Sequence, residues 1–215
     1  MISVIIPVYN EEQHIENVLR KIPKDYEIIV VNDSSKDGTR KVAERFVTKV
    51  VNHSRRKGKG AACKTGAKNA SNDILVFIDG DDQFEPSEIP RFLKTLNGAD
   101  FVIGFRTEFP FWRKLSNKYA RASVSLATGQ AFKDALCGFK AIRKDVYNSL
   151  NLRMNDYRTD VEMILESMKR NYDIRQVPVS VKYTKEIKTH ISFIDNLKIG
   201  GFIFFHTLKS ILKRL

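Results

Sequence analysis

Two cysteines in 215 residues, Cys63 and Cys137, are too few and too widely spaced for a disulfide framework or a thiolate metal site. A chain of this length buries enough core to fold without covalent staples, so the scarcity points to a reducing compartment. Long apolar runs are missing too. The longest uncharged stretch of the carboxyl-terminal helical segment, 199–208, is ten residues, against the roughly 20 that cross a bilayer. Met1-Ile2-Ser3-Val4 enters a strand pattern at once, so no secretory leader is expected. Internal repeats and low-complexity tracts are absent, which excludes solenoids and disordered tails. Acidic charge is also scarce: Asp and Glu number 25 against 37 Lys and Arg, a net charge of +12.

The excess is local. Residues 53–68 carry six basic side chains and no acid, 106–121 carry five against Glu108, and 182–215 carry seven against Glu186 and Asp195. Localised positive charge predicts an anionic partner: nucleic acid, a phosphorylated substrate or an anionic membrane surface. No nucleic-acid signature is present, so a basic binding module is the remote alternative, and no nucleic-acid partner is expected.

Strand-like runs alternate with helical patterns through the first half. Val4-Ile5-Ile6, Ile28–Val31, Lys49–Val51, Leu75–Ile78 and Phe101–Ile103 are separated by helix patterns near 12–21, 38–46, 60–70 and 87–97. Repeated strand–helix–strand units predict an α/β fold, a doubly wound, mostly parallel sheet flanked by helices. Asn10 with Gln13 forms a capping pair for the first helix, and Pro86 suits the first turn of the fourth. In the second half, residues 112–127 place Leu115, Tyr119, Ala122 and Leu126 on one helical stripe among basic residues. A helix is expected over 160–171. Val177–Val181 reads as an edge strand because Pro178 cannot donate to a ladder.

Asp79-Gly80-Asp81-Asp82 stands directly behind the apolar run Ile74–Ile78. Carboxylates thus fall where a buried strand ends, which is where open α/β sheets bind ligands. Clustered carboxylates repel one another unless a hard cation joins them, and Mg²⁺ or Mn²⁺ shared with substrate phosphates fits. Asp33, at the end of the second strand, can accept from a base N–H or a ribose hydroxyl. Gly58-Lys59-Gly60-Ala61-Ala62-Cys63-Lys64-Thr65 nearly spells a P-loop, but Cys63 stands where the second glycine must be.

Pro7-Val8-Tyr9-Asn10-Glu11, Asp33–Thr39, Gly58-Lys59-Gly60 and Asp79-Gly80-Asp81 occur in an order and spacing that resembles the inverting family-two glycosyltransferases of the GT-A fold. Gly104-Phe105-Arg106, Asp134 before Gly138-Phe139-Lys140, and Glu162 narrow the resemblance to the branch that makes polyprenyl-phosphate sugars, the dolichyl-phosphate mannose synthase type. It covers nearly all of residues 1–192. The resemblance implies that Pro7, Tyr9, Glu11, Val31 and Asp33 hold base and ribose, and that Asp79, Gly80 and Asp81 hold ribose and diphosphate. It further implies that Asp81 and Gln83, beside Asp79, hold the metal, and that Arg106 meets the diphosphate. The basic helix that follows would face a lipid phosphate through Arg113 and Ser116.

Two departures stand out. Lys140 replaces the arginine of the Gly-Phe-Arg motif, losing its planar fork, and Lys185 is the choice for an arginine missing after the Val-Pro strand. The resemblance implies transfer of a hexose from a GDP- or UDP-hexose to a polyprenyl or dolichyl phosphate at the cytoplasmic face of the membrane. A phosphate acceptor is largely ionised at neutral pH and needs no strong base. With a polysaccharide or other hydroxyl acceptor, the alternative, Glu162 would serve as base. A sugar-phosphate nucleotidyltransferase is less well matched, since Pro7–Glu11 stands where its glycine-rich loop would be.

Residues 1–192 are thus expected to form the catalytic domain and 193–215 an amphipathic, interfacial helix, with Phe193, Leu197, Phe204, Leu208, Ile211 and Leu215 on one face. That face suits the membrane interface or the protein's own core. Peripheral membrane contact, through this helix or a membrane-anchoring partner protein, is the expectation. The donor site is expected to lie wholly in earlier loops, independent of this helix.

Overall fold

The structure, a computed structural model, describes residues 1–47, 49–108, 111–183 and 192–212, with the side chains of 111–116, 193 and 211 outside that description. In chain order the elements are β1 (Ile2–Val8), α1 (Ile15–Lys21), β2 (Glu27–Asn32), α2 (Thr39–Ala43), β3 (Lys49–Asn52), α3 (Lys59–Asn69) and β4 (Ile74–Phe77). A short 3-10 turn at Pro86–Glu88 leads into α4 (Ile89–Leu96), then β5 (Phe101–Arg106), α5 (Phe111–Thr128), β6 (Lys140–Arg143), α6 (Lys144–Ser149), α7 (Thr159–Lys169), β7 (Ile174–Val179) and α8 (Phe193–Leu212).

The strands form one sheet in the order β3-β2-β1-β4-β6-β5-β7. All pairings are parallel except those of β6, which runs against both β4 and β5. Val4, Ile5, Ile6, Leu75, Val76 and Phe101–Ile103 are fully buried, as strands covered by helices on both faces must be. The chain winds outward from β1 to β3 and then crosses back to β4, so β1 and β4 flank the switch point where such sheets open a crevice. β7 does lie at an edge, with Pro178 opposite Phe105.

The structure departs from the sequence reading, or adds to it, at three points. The first helix begins at Ile15 with no side-chain cap. Asn10 instead takes a positive φ of 56°, accepts from the Lys36 amide and donates its own amide to Ser35 Oγ, tying the loop after β1 to the loop after β2. β6 and α6 had no forecast: a four-residue strand abutting a helix gives neither period room to repeat. The stripe read for the basic helix points outward, with Leu115 outside the described side chains. Tyr119, Ala122 and Leu126 of α5 are exposed, and Asn117, Ala120 and Val124 turn inward.

In α8 the buried residues are Ile199 and Ile203, which pack against α5, while Leu197, Phe204 and Leu208 face outward. Phe193, Ile211 and Leu215, the rest of the forecast face, lie outside the described side chains. Among the described residues no helix is long and apolar enough to cross a membrane.

Candidate active site

A cavity of about 340 Å³ opens at the carboxyl ends of the central strands, large enough for a small-molecule ligand. Pro7 enters from the end of β1, Tyr9 and Glu11 from the loop after it, Asp33 from that after β2, and Asp79, Gly80, Asp81 and Gln83 from that after β4. Arg106 closes one side from the end of β5. Arg56 lies over the Tyr9 ring, 4.0 Å from its centroid, so the wall beside Pro7 is a flat cationic and aromatic surface.

A chain of four charges crosses the floor. Lys59 Nζ, at the start of α3, lies 2.8 Å from Asp79 Oδ1 and 3.2 Å from Asp160 Oδ2, and Asp160 Oδ1 takes Lys140 Nζ at 2.5 Å. Burial alone would raise the Asp160 carboxyl, but Lys140 and Lys59 outweigh it and hold Asp160 below its usual range. Lys59 is likewise held charged against burial by Asp160 and Asp79. Gly138 leaves room for this arrangement, since a Cβ there would strike the Asp79 carboxylate.

Asp81 is treated differently. Burial first, then the charges of Asp79 and Glu11, push it up to about 7, and its one hydrogen bond among the described residues comes from the Gln83 amide. A hard cation beside it would reverse that shift. Among the described residues no three His, Cys, Asp or Glu side chains converge on one point. Two carboxylates, an amide and ligand oxygens nevertheless match what Mg²⁺ or Mn²⁺ takes, so the residues present fit the ion.

Asp33 is committed to the protein itself. Its Oδ1 takes His53 Nδ1 at 2.7 Å and the Lys57 amide at 2.8 Å, and its Oδ2 takes the Gly58 amide at 2.7 Å. It therefore folds the basic loop 53–58 over the cavity, with Gly58 at φ +98° where a side chain would be strained.

Glu162, the base expected for a hydroxyl acceptor, does not line the cavity. Its two oxygens accept the Arg153 and Met154 amides at 2.8 and 2.9 Å. This fixes the 153–156 loop, whose Asn155 carbonyl takes the Ala61 amide at 3.1 Å. Residues two apart on a helix point about 200° apart, so only one of Asp160 and Glu162 can face the site. Asp160 is the one that does.

Lys140 is 1% exposed, lies behind Asp160 and does not line the cavity, which corrects the expectation of ligand contact. Val31 is a fully buried core residue of β2, also away from the lining. The side chains of Arg113 and Ser116, and all of Lys185, lie outside the described residues.

The far side of Arg106 faces a second pocket. Asp134, fully buried, grips the guanidinium from Oδ2 to Nε at 2.6 Å and from Oδ1 to Nη2 at 3.0 Å. Burial opposes the Arg106 charge, but Asp134 more than restores it. Beyond lie Thr107, Lys118, Arg121 and Lys133, together with Asn117, whose two amide atoms are buried with no hydrogen-bond partner among the described residues.

Sequence reasoning missed Lys59, Asp160, Asn117 and the far wall. Lys59 was visible inside Gly-Lys-Gly; the periodicity of α7 says that one of Asp160 and Glu162 faces the site but not which, and nothing local marks Asn117. The far wall is α8: Asp195, Asn196 and Ile199 line the same cavity as Tyr9 and Asp81. The expectation that the donor site lies wholly in earlier loops is therefore corrected.

A dolichol-phosphate mannosyltransferase of Pyrococcus furiosus is 33% identical over 77% of this chain, and the match covers 52% of that protein, so the chain spans about half its length. A UDP-N-acetylglucosamine--dolichyl-phosphate N-acetylglucosaminyltransferase of Methanococcus voltae is 29% identical over 97% of this chain and 95% of its own. Glucosyl-3-phosphoglycerate synthase of Mycobacterium tuberculosis, solved with uridine-diphosphate, superposes with a TM-score of 0.81 over 96% of this chain and 80% of its own at 23% identity, a likeness of fold. Residues 3–150 match the model of "Glycosyl transferase family 2", a span that holds the switch point and Lys59, Asp79, Asp81 and Lys140 but not Asp160 or the wall from α8; the chain belongs to glycosyl transferase family 2 and has the GT-A fold.

Proposed function

We propose that this chain transfers a hexose from a GDP- or UDP-sugar to a polyprenyl or dolichyl phosphate, with inversion at the anomeric carbon. The observation that carries this is the place of Arg106 between two cavities: an acidic-floored cavity on one side and, on the other, a cationic pocket with a buried Asn117 that has no hydrogen-bond partner among the described residues. Charge developing on a leaving diphosphate and charge on an incoming phosphate would both lie against the same guanidinium. The names of the Pyrococcus and Methanococcus relatives support a dolichyl phosphate acceptor while naming two different sugars.

In this proposal Tyr9, Arg56 and Pro7 flank the base and Glu11 accepts from the ribose. Asp79, Asp81 and Gln83 would hold Mg²⁺ or Mn²⁺, which when bound neutralises diphosphate charge. Lys59 and Arg106 stabilise the departing diphosphate more than the intact donor, because its charge grows as the anomeric bond breaks. Asp134 holds Arg106 in the orientation that this requires. The carboxylates of α7 favour a phosphate over a hydroxyl acceptor: Glu162 is occupied by backbone amides and Asp160 is held ionised by two lysines, so neither is a good base.

Arg113, Ser116 and Lys185 stay assigned to the acceptor phosphate. Residues 1–192 act as the catalytic unit and 193–215 as an interfacial helix at the cytoplasmic face, a placement supported by the unpaired thiols of Cys63 and Cys137 and by the outward apolar face of α8. The test is a panel of GDP- and UDP-hexoses offered with polyprenyl phosphate or the matching polyprenol, followed by product mass. Transfer to the phosphate alone is expected. Transfer to the alcohol, or to sugar hydroxyls only, would overturn the acceptor assignment.

A further inference from the structure

The carboxyl-terminal helix does two things at once. Its first turns wall the donor cavity through Asp195, Asn196 and Ile199. Ser192 and Asp195 stiffen that turn reciprocally: Asp195 Oδ2 accepts from the Ser192 amide and hydroxyl at 2.9 and 2.7 Å, and Ser192 Oγ accepts the Asp195 amide at 3.1 Å. At 100° per residue, Ile194, Leu197, Phe204, Phe205, Leu208 and Leu212 fall in one outward stripe about 100° wide, and they are between 44% and 64% exposed.

The inward side of α8 is held on α5 by Ile199 and Ile203, and by Thr207 and Ser210, whose hydroxyls donate to the Ser123 and Ala127 carbonyls. Tyr119 and Leu126 of α5 extend the outward apolar surface. Lys198 and Lys209 of α8, with Lys118 and Arg121 of α5, are exposed on the same two helices. Bulky apolar residues flanked by lysine and arginine match the boundary between acyl chains and anionic headgroups.

Between the wall and most of the stripe lie Gly200 and Gly201. Among the described residues, neither has an atom from outside its own helix turn within 4 Å of where a Cβ would stand, so no packing there demands a glycine at either place. A glycine pair inside a helix nevertheless weakens it by roughly an order of magnitude in equilibrium relative to two alanines, and such pairs are where helices bend. The Tyr119 hydroxyl reaches the Gly200 carbonyl only at 3.5 Å.

We infer that α5 and α8 form a surface for an anionic bilayer, and that seating on it holds α8 unbroken across Gly200-Gly201 and so closes the donor cavity. This rests on the membrane-facing function proposed above. Because coupling between two binding events is reciprocal, lipid must tighten nucleotide binding and nucleotide must tighten lipid binding.

The test measures the affinity of the full chain for GDP and for UDP, each with Mg²⁺, alone and with phosphatidylglycerol-containing or pure phosphatidylcholine vesicles. Anionic vesicles should pellet the protein and tighten the nucleotide that binds by about 5- to 10-fold, and phosphatidylcholine should do neither. Phe204→Ser with Phe205→Ser, on the outward stripe, should abolish pelleting and the enhancement and leave the vesicle-free affinity unchanged. Gly200→Ala with Gly201→Ala should raise the vesicle-free affinity toward the vesicle-bound value, since the unbroken helix no longer needs lipid.

Pelleting with unaltered nucleotide affinity would overturn the coupling and leave the membrane function standing. Failure to pellet would overturn both. An alanine pair that leaves the vesicle-free affinity unchanged, with helicity intact by circular dichroism, would overturn the hinge.

Discussion

At the amino edge of the sheet Glu27 takes the Ser3 hydroxyl, Lys49 Nζ, and the amide and hydroxyl of Ser71. At the carboxyl edge Asp81 receives one amide from Gln83 and otherwise faces Asp79 and Glu11. Glu27 is accordingly pulled down to about 2: burial works against the shift, and the Ser3, Ser71 and Lys49 donors outweigh it. Asp81 is pushed up to about 7 by burial and like charge. Two carboxylates on one sheet thus depart in opposite directions. The difference separates a carboxylate satisfied by several protein donors from one with a single such donor, an arrangement that a bound cation would complete.

The largest effect should come from the one floor carboxylate that is fully satisfied. Asp160→Asn leaves Lys59 and Lys140 buried with one compensating charge, Asp79, between them, and such a loss costs about 3–5 kcal/mol. Urea unfolding at neutral pH measures it. A midpoint within experimental error of the parent would show that the four-charge chain is not structural.

Asp81→Asn should behave in the opposite sense. It removes a charge that burial disfavours, so the metal-free protein becomes more stable above pH 7 while turnover falls by about 10²- to 10³-fold. Metal-dependent turnover at parental rates would place the ion elsewhere, and a stability loss at pH 8 would break the contrast between the two edges.

The guanidinium between the two cavities gives a smaller and more selective effect. Arg106→Lys keeps the charge but cannot grip Asp134 through two nitrogens, and Asp134→Asn weakens the same grip from the other side. Each should lower kcat by about tenfold or somewhat more with little change in donor KM, in line with a charge-assisted bond worth about 1.5–3 kcal/mol. Equal losses in donor KM would make Arg106 a binding group only.

The same contrast explains what was legible in the sequence. Satisfied parts carry their own signal: the fully buried β1, β4 and β5 read as apolar runs, Pro178 announced an edge, and the acidic turn after Ile74–Phe77 lay where a sheet of this topology opens. Other parts were less legible. The sequence sets Tyr119, Ala122 and Leu126 on one stripe of α5 without deciding what the stripe faces; it points outward, while polar Asn117 lies inside. Glu162 and Asp160 share one helix turn, and only three-dimensional placement shows that the first serves the 153–156 loop and the second the cavity. The wall supplied by α8 depends on how it packs on α5, a contact between residues about 80 apart that no local pattern encodes.

The smallest effect sharpens the comparison at its quiet end. Glu27 has an ordinary pKa of 4.5 and a folded value of about 2, so the folded state binds its proton less readily than the unfolded chain. Its contribution is therefore fully present above about pH 4.5 and is lost as pH falls toward 2. Asp81 has the reverse slope: the folded protein keeps a proton up to about pH 7 that the unfolded chain has released by about pH 4, so metal-free stability declines across that interval. Glu27→Gln should flatten only the acid limb and lower stability at neutral pH by about 1–3 kcal/mol, the range of charge-assisted hydrogen bonds. Asp81→Asn should flatten only the limb between pH 4 and 7. Unfolding free energies across pH 2–8 in chelator, for the parent and both variants, separate the two. If Glu27→Gln leaves the acid limb unchanged, the amino edge is not held by this carboxylate, and its completeness rests on the hydrogen bonds of Asn72 to Ser3 and the Ile2 carbonyl.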